Sequence, residues 1–265
     1  MKPAHPSKPD AERLADEAAF HDEAFGQHIR RNAWKFYRAA SSAYERYDEL
    51  LARAVSKGSR ALEYGCGPGS SAFELAGRGA IVDGIDISPV AIDLARATAT
   101  SRGVGARTSF SVMDAEHLEF PSESFDLVCG TSIIHHLDVE RAYGEVVRVL
   151  KPGGVGIFLE ALGHNPAINL YRRLTPALRT EDEQPLRMED IAAARRYFAS
   201  VESEHFALLS LAAMPVQNRP VFARLSEGLQ RADRAVFTAL PPLRRWSWMA
   251  VLKLAGPRRS PPADV

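Results

Sequence analysis

No stretch of this chain approaches the roughly 18 consecutive apolar residues of a membrane-spanning helix, and the opening MKPAHPSKPDAERLADEAAF has no apolar run of the signal-peptide kind. Cysteine is scarce. Cys66 and Cys129 both lie inside apolar segments, and two thiols so placed make neither a disulfide framework nor a paired metal site. Charge has no overall sign, because 33 Lys and Arg face 33 Asp and Glu, and this removes the basic field that holds proteins on nucleic acid. Internal repeats are also lacking. These absences lead to the expectation of a cytoplasmic protein in a reducing compartment with no nucleic-acid partner.

What is present is enough apolar material for one sizeable core: 46% of the 265 residues are hydrophobic. Residues 1–10 and 256–265 are rich in Pro and in basic residues and are expected to be flexible tails. From 11 to 57 apolar and aromatic residues recur every three or four positions (Phe20, Phe25, Ile29, Trp34, Tyr37, Tyr44, Tyr47, Leu51), which predicts an N-terminal helical region. The segments ALEYG, IVDGIDI, TSFSVMD, FDLVCGT and VGIFLEA then alternate with helical or turn-rich stretches, the pattern of a mainly parallel sheet with helices on both faces. This core is expected over 58–162. An Arg-rich insert follows over 163–197, and two last strands with an intervening helix over 198–255. For that helix, residues 220–240, the predicted apolar face is Val221, Phe222, Leu225, Leu229, Ala232, Val236 and Leu240.

Chemistry is concentrated at EYGCGPGSSAFELAG. Gly65, Gly67 and Gly69 stand between a strand and a helix, where a missing side chain lets a ligand approach the backbone and the helix N-terminus offers free N–H groups. A carboxylate, Asp86, follows at the end of the next strand, about 20 residues on, and suits a ribose. A dinucleotide site would use GxGxxG, but Ser70 stands at the sixth position. At this level a dinucleotide oxidoreductase and other nucleoside-binding enzymes both stay open, and the plainer alternative for Asp86 is part of the helix start at Ser88–Pro89.

Taken in order, LEYGCGPG, IDIS, VMDAEHL, FDLVCGTSIIHHL and LKPGG before VGIFLE resemble the class I S-adenosylmethionine-dependent methyltransferases over about residues 58–160. The resemblance implies an α/β fold: a three-layer, Rossmann-like seven-stranded sheet of order 3-2-1-4-5-7-6 with an N-terminal helical lid and helical inserts. It implies S-adenosyl-L-methionine as cofactor, with S-adenosyl-L-homocysteine as product. Gly65, Cys66, Gly67 and Gly69 would pass under the methionine part, Asp86 with Ile87 beside it would take the ribose hydroxyls, and Asp114 with Met113 and Ala115 would take the adenine. Glu63 would orient the glycine loop or the cofactor amine.

A sulfonium donor is already activated, so transfer needs alignment and, for many acceptors, removal of a proton. The resemblance places the acceptor near the ends of the fourth and fifth strands, which makes His135, His136, Glu160 and His164 the candidate bases; histidine titrates nearest neutrality. His21, Trp34, Tyr37 and Tyr44 are read either as part of a lid or as residues docking a helix on the sheet. The insert over 163–197 is expected to build the acceptor pocket; its Arg172, Arg173, Arg179, Arg187, Arg195 and Arg196 are read either as holding a substrate carboxylate or phosphate or, being nearly balanced by Glu181, Asp182, Glu183, Glu189 and Asp190, as a solvated helical face, which the balance favours. No metal is expected. A small-molecule acceptor is the expected partner; peripheral membrane contact, suggested by PPLRRWSWMAVLKLAGPRR, and a second copy of the chain are kept open.

Overall fold

The structure, a computed structural model, describes residues 10–26, 38–69, 71–175 and 185–259. Of the predicted tails 1–10 and 256–265, residues 1–9 and 260–265 lie outside these residues, whereas Asp10 opens a helix and Gly256–Pro257 end a strand; Ile29, Trp34, Tyr37, Ser70, Arg179 and Glu181–Glu183 also lie outside.

Seven strands form one sheet: β1 (Arg60–Tyr64), β2 (Ile81–Asp86), β3 (Thr108–Val112), β4 (Phe125–Thr131), β5 (Leu150–Ala161), β6 (Phe198–Phe206) and β7 (Met249–Pro257). Their order is 3-2-1-4-5-7-6, as the resemblance implies. β1 pairs in parallel with β2 and β4, and β7 runs antiparallel to both of its neighbours. The central strands are buried on both faces, so consecutive residues enter opposite cores. Ala61, Leu127, Cys129, Ile157 and Leu159 point to one, while Leu62, Val128 and Phe158 point to the other.

Eight helices occur among the described residues: α1 (Asp10–Gly26), α2 (Ser41–Ala54), α3 (Ser71–Gly77), α4 (Pro89–Ser101), α5 (Val139–Val149), α6 (Pro166–Leu174), α7 (Met188–Ala193) and α8 (Phe222–Ala239). α2, α3 and α4 cover the first face through Tyr47, Leu51, Phe73, Leu75, Ile92 and Ala95; α5 and α7 cover the second through Tyr143, Val146 and Ile191. Helix starts follow local chemistry. Ser88 and Asn165 accept hydrogen bonds from first-turn N–H groups just before a proline, and Asp138 does the same for α5.

Helix α8 buries a face that overlaps the predicted one only in part. Phe222 is buried and Leu229, Ala232 and Val236 are half-buried, but Val221, Leu225 and Leu240 are exposed, and Ser226, Asp233 and Phe237 are buried in addition. The cause is polar. The buried carboxylate of Asp233 accepts the N–H groups of Leu208, Leu209 and Ser210 and the Ser210 hydroxyl, capping the turn after β6, and this displaces the buried face towards Asp233. The last strand also begins at Met249, later than the predicted WSWMAVLKLAG, because Trp246 closes a 3-10 turn.

His205, at the end of β6, yields a pH prediction. The Ser247 hydroxyl donates to the Arg244 carbonyl, so it accepts from His205 Nδ1–H, and Nε2 is left to accept from Ser203. The ring is held neutral: burial, with the nearby Arg244 charge, pushes its pKa down to about 4. Protonation therefore favours the unfolded chain. Stability should fall as pH drops from about 6.5 to about 4, by up to roughly 3 kcal/mol from this residue, and the contribution should be flat below that. Urea unfolding of wild type and His205→Asn at pH 7 and 4.5 checks it: the variant should show a visibly smaller loss between the two pH values.

Candidate active site

The C-terminal ends of β1, β2, β3 and β4 surround a cavity of about 220 Å³. Its first wall is the glycine loop. Gly65, Gly67 and Gly69 all have positive φ, at 67°, 52° and 84°, a region side-chain-bearing residues rarely adopt. The loop is fixed from beneath by Glu63, which is buried in β1 and accepts from the N–H groups of Ser71 and Ala72 at 2.9 Å each, tying the start of α3 to the strand. Cys66 lines the cavity as a buried thiol whose pKa burial pushes up, so it stays protonated.

Asp86 stands opposite. Its Oδ2 accepts from Gly67 N at 2.7 Å and its Oδ1 from Ser88 N at 2.9 Å, so the carboxylate joins the glycine loop to α4 while each oxygen keeps a further lone pair. Asp114 closes a tight turn, accepting from Glu116 N and facing His117 Nδ1 at 2.9 Å. Ile87, Met113 and Ala115 lie beside these acids on the same wall. Tyr64 donates its hydroxyl to the Ala115 carbonyl and holds this wall to β1.

The remaining side is built by α1. Arg13, Leu14, Glu17 and His21 line the cavity from above. Arg13 donates to Glu116 at 2.7 Å, and both side chains are buried; Glu116 also accepts from Asp138 N and Arg141. Asp22 accepts from the Ser88 hydroxyl at the start of α4. Glu17 sits between two imidazoles, with Oε2 at 3.3 Å from His21 Nε2 and Oε1 at 3.4 Å from His136 Nδ1. Burial works to raise the Glu17 carboxyl, but the hydrogen bonds and charge of His136 and His21 outweigh it and hold the group well below the usual carboxylate range.

The four candidate bases separate sharply. His136 lines the cavity. His135 is turned away and buried, with Nδ1 at 2.7 Å from Glu160 Oε2. Glu160 is fully buried, and its other oxygen accepts the N–H groups of Ile133 and Ile134. This carboxylate holds the turn after β4, where Ser132 adopts a positive φ of 54°. His164 lies in the insert, where its Nε2 accepts from Met188 N; burial and the charge of Arg187 lower its pKa. His135, Glu160 and His164 are therefore absent from the cavity wall. Both histidines sit on the 3-10 turn Ile134–His136 with their rings 4.4 Å apart, centroid to centroid, and only the His136 ring lines the cavity.

Residues 62–158 match the family described as Methyltransferase domain. The methyltransferase GfsG of Streptomyces halstedii is 39% identical over 119 residues, 44% of this chain and 41% of that protein. The aklanonic acid methyltransferase DauC of a Streptomyces species is 44% identical over 101 residues, 37% and 46% of the two chains. The matched region thus spans less than half the length of these two relatives. Among solved structures, a phosphoethanolamine N-methyltransferase of Haemonchus contortus in complex with S-adenosyl-L-methionine superposes with a TM-score of 0.57 at 22% identity, over 81% of this chain and 53% of that one, a likeness of fold.

Proposed function

We propose, from the premise that residues 62–158 are a class I methyltransferase domain, that this protein transfers a methyl group from S-adenosylmethionine to a small-molecule acceptor. The observation that carries this reading is the convergence of Gly65, Gly67, Gly69, Asp86 and Asp114 on one cavity beneath α1. The lining suits such a ligand: a carboxylate pair of acceptors for a diol, an acid for an exocyclic amine, an apolar wall of Ile87, Met113 and Ala115 for a ring, and a side-chain-free loop for the methionine end. Bound there, the sulfonium supplies a methyl group already activated for displacement.

The chain's own residues then have positioning and proton tasks. α1 acts as a lid that keeps water from the reacting atoms, clasped by Arg13–Glu116 and Asp22–Ser88. His136 faces the reacting space, held by Glu17, and is the group placed to receive the acceptor's proton. The buried free thiols Cys66 and Cys129 suit a reducing cytoplasmic setting. Among the described residues no helix is long and apolar enough to cross a membrane.

Calorimetric titration tests the reading: S-adenosylhomocysteine should bind with one site per chain, and a nicotinamide dinucleotide should not. The reverse pattern would make the protein a dinucleotide enzyme. Asp86→Ala should weaken S-adenosylhomocysteine binding by about tenfold to a hundredfold, roughly 1.5 to 3 kcal/mol for a lost charge-assisted pair. Asp86→Asn, which keeps one acceptor oxygen, should fall between. An unchanged isotherm for Asp86→Ala would remove the diol from this carboxylate.

A further inference from the structure

We propose that Glu17, His21 and His136 form a binding site for a first-row transition-metal dication of the zinc class, and that the acceptor's hydroxyl oxygen completes its coordination. The three donors converge from two elements. Glu17 and His21 are one helical turn apart on the cavity face of α1, and His136 reaches them from the turn after β4, 119 positions from Glu17 in sequence. One ligand atom from each lies within 4.8 Å of the others, and Glu17 reaches the two rings through its two oxygens, Oε2 at 3.3 Å from His21 Nε2 and Oε1 at 3.4 Å from His136 Nδ1. Ligands held at about 2.0 to 2.2 Å from a zinc-class ion stand about 3 to 3.5 Å from one another, so the side chains need only small movements to close on one.

Donor chemistry narrows the ion. Two imidazoles and one carboxylate favour zinc, cobalt or iron over magnesium or calcium, which prefer oxygen. Three protein ligands leave a position open, the arrangement of catalytic rather than structural sites. That position faces the cavity, since all three residues line it together with Thr131 and Ser132. The sequence carries no metal-binding spacing here because the ligands meet only when α1 lies on the core.

The inference rests on the methyl-transfer reading and narrows the acceptor to oxygen. On coordination the hydroxyl releases its proton to solvent. Its oxygen then forms the new bond to the methyl carbon as the sulfur–carbon bond breaks, and the electron pair of that bond stays on sulfur, giving S-adenosylhomocysteine. His136 in this form acts as a ligand, and the ion does the work of lowering the hydroxyl pKa.

The test uses tag-free, chelator-treated full chain titrated with Co²⁺ and followed by visible absorption, with Zn²⁺ as competitor and S-adenosylhomocysteine calorimetry run in parallel. Wild type should take up one Co²⁺ per chain with a visible d–d band that Zn²⁺ abolishes. His21→Ala and Glu17→Gln, each checked for folding by circular dichroism, should lose at least tenfold in Co²⁺ affinity. A wild-type chain that binds S-adenosylhomocysteine and shows no such band overturns the site, as does a band unchanged in both variants. Co²⁺ binding as expected without S-adenosylhomocysteine binding upholds the metal site and overturns the cofactor reading instead.

Discussion

Gly65→Val is expected to abolish S-adenosylhomocysteine binding, with at least a hundredfold loss of affinity by calorimetry, and to lower stability by roughly 2 to 4 kcal/mol. Two costs coincide at this position. The backbone has φ +67°, which a β-branched residue resists strongly. A Cβ there would also stand 2.6 Å from Ile133 Cδ1 and 2.7 Å from its Cγ1. Rotating the Ile133 side chain does not clear the space, because its own Cβ would stand 3.0 Å away and its backbone is tied by an N–H bonded to the buried Glu160 carboxylate. The loop must therefore shift, and it carries Gly67, whose N–H meets Asp86. Gly58→Ala is the matched comparison: it shares a positive φ, at +88°, but has open space around its Cβ, so it should cost about 1 kcal/mol of stability and leave binding alone. Normal binding by folded Gly65→Val would reduce the loop to a tight turn.

The glycine loop, Asp86 and Asp114 were legible in the sequence because each does its structural work on near neighbours. Asp114 turns the chain at Glu116, Asp86 caps Ser88, and the positive-φ glycines follow one another directly after β1. The sheet order was legible for a related reason: alternating strands and helices with right-handed crossovers leave few topologies, and the resemblance selected one of them. The α1 side of the cavity had no such local trace. Arg13 meets Glu116 across 103 positions, and Glu17 meets His136 across 119. A single Glu in DEAAFHDE reads as a solvated helix residue until the partner surface is known.

The other misreadings share one physical cause, the satisfaction of buried polar groups. Periodicity found Phe222 and the half-buried Leu229, Ala232 and Val236 of α8, but Asp233 had three N–H groups and a hydroxyl to satisfy, and the buried face is displaced towards it. Glu160 looked like a base at the end of a strand; its environment makes it an anchor, with both oxygens committed to the turn after β4 and to His135. Residue type alone does not distinguish a carboxylate that reacts from one that holds a loop. Complete burial with both oxygens already bonded, as in Glu160, does.

That distinction sets the second large effect. His136→Ala should lower kcat on the true acceptor by roughly a hundredfold to ten-thousandfold, whether the imidazole takes the proton itself or serves as a metal ligand. Affinity for S-adenosylhomocysteine should fall less than tenfold, because the glycine loop, Asp86 and Asp114 remain and the lid keeps its Arg13–Glu116 and Asp22–Ser88 contacts. His135→Ala should behave in the opposite way. It removes a buried ring packed 4.4 Å, centroid to centroid, from His136 and takes one hydrogen-bond partner from a fully buried carboxylate, so its main effect should be on stability, about 2 to 4 kcal/mol. Single-turnover kinetics with saturating cofactor, paired with urea unfolding of both variants, separates the two. Equal kcat losses with intact folding would mean that the 3-10 turn acts as a unit and that His135 tunes the chemistry through His136. Full turnover in His136→Ala would leave alignment in the cavity as the whole source of rate enhancement and remove the proton-accepting role from this residue.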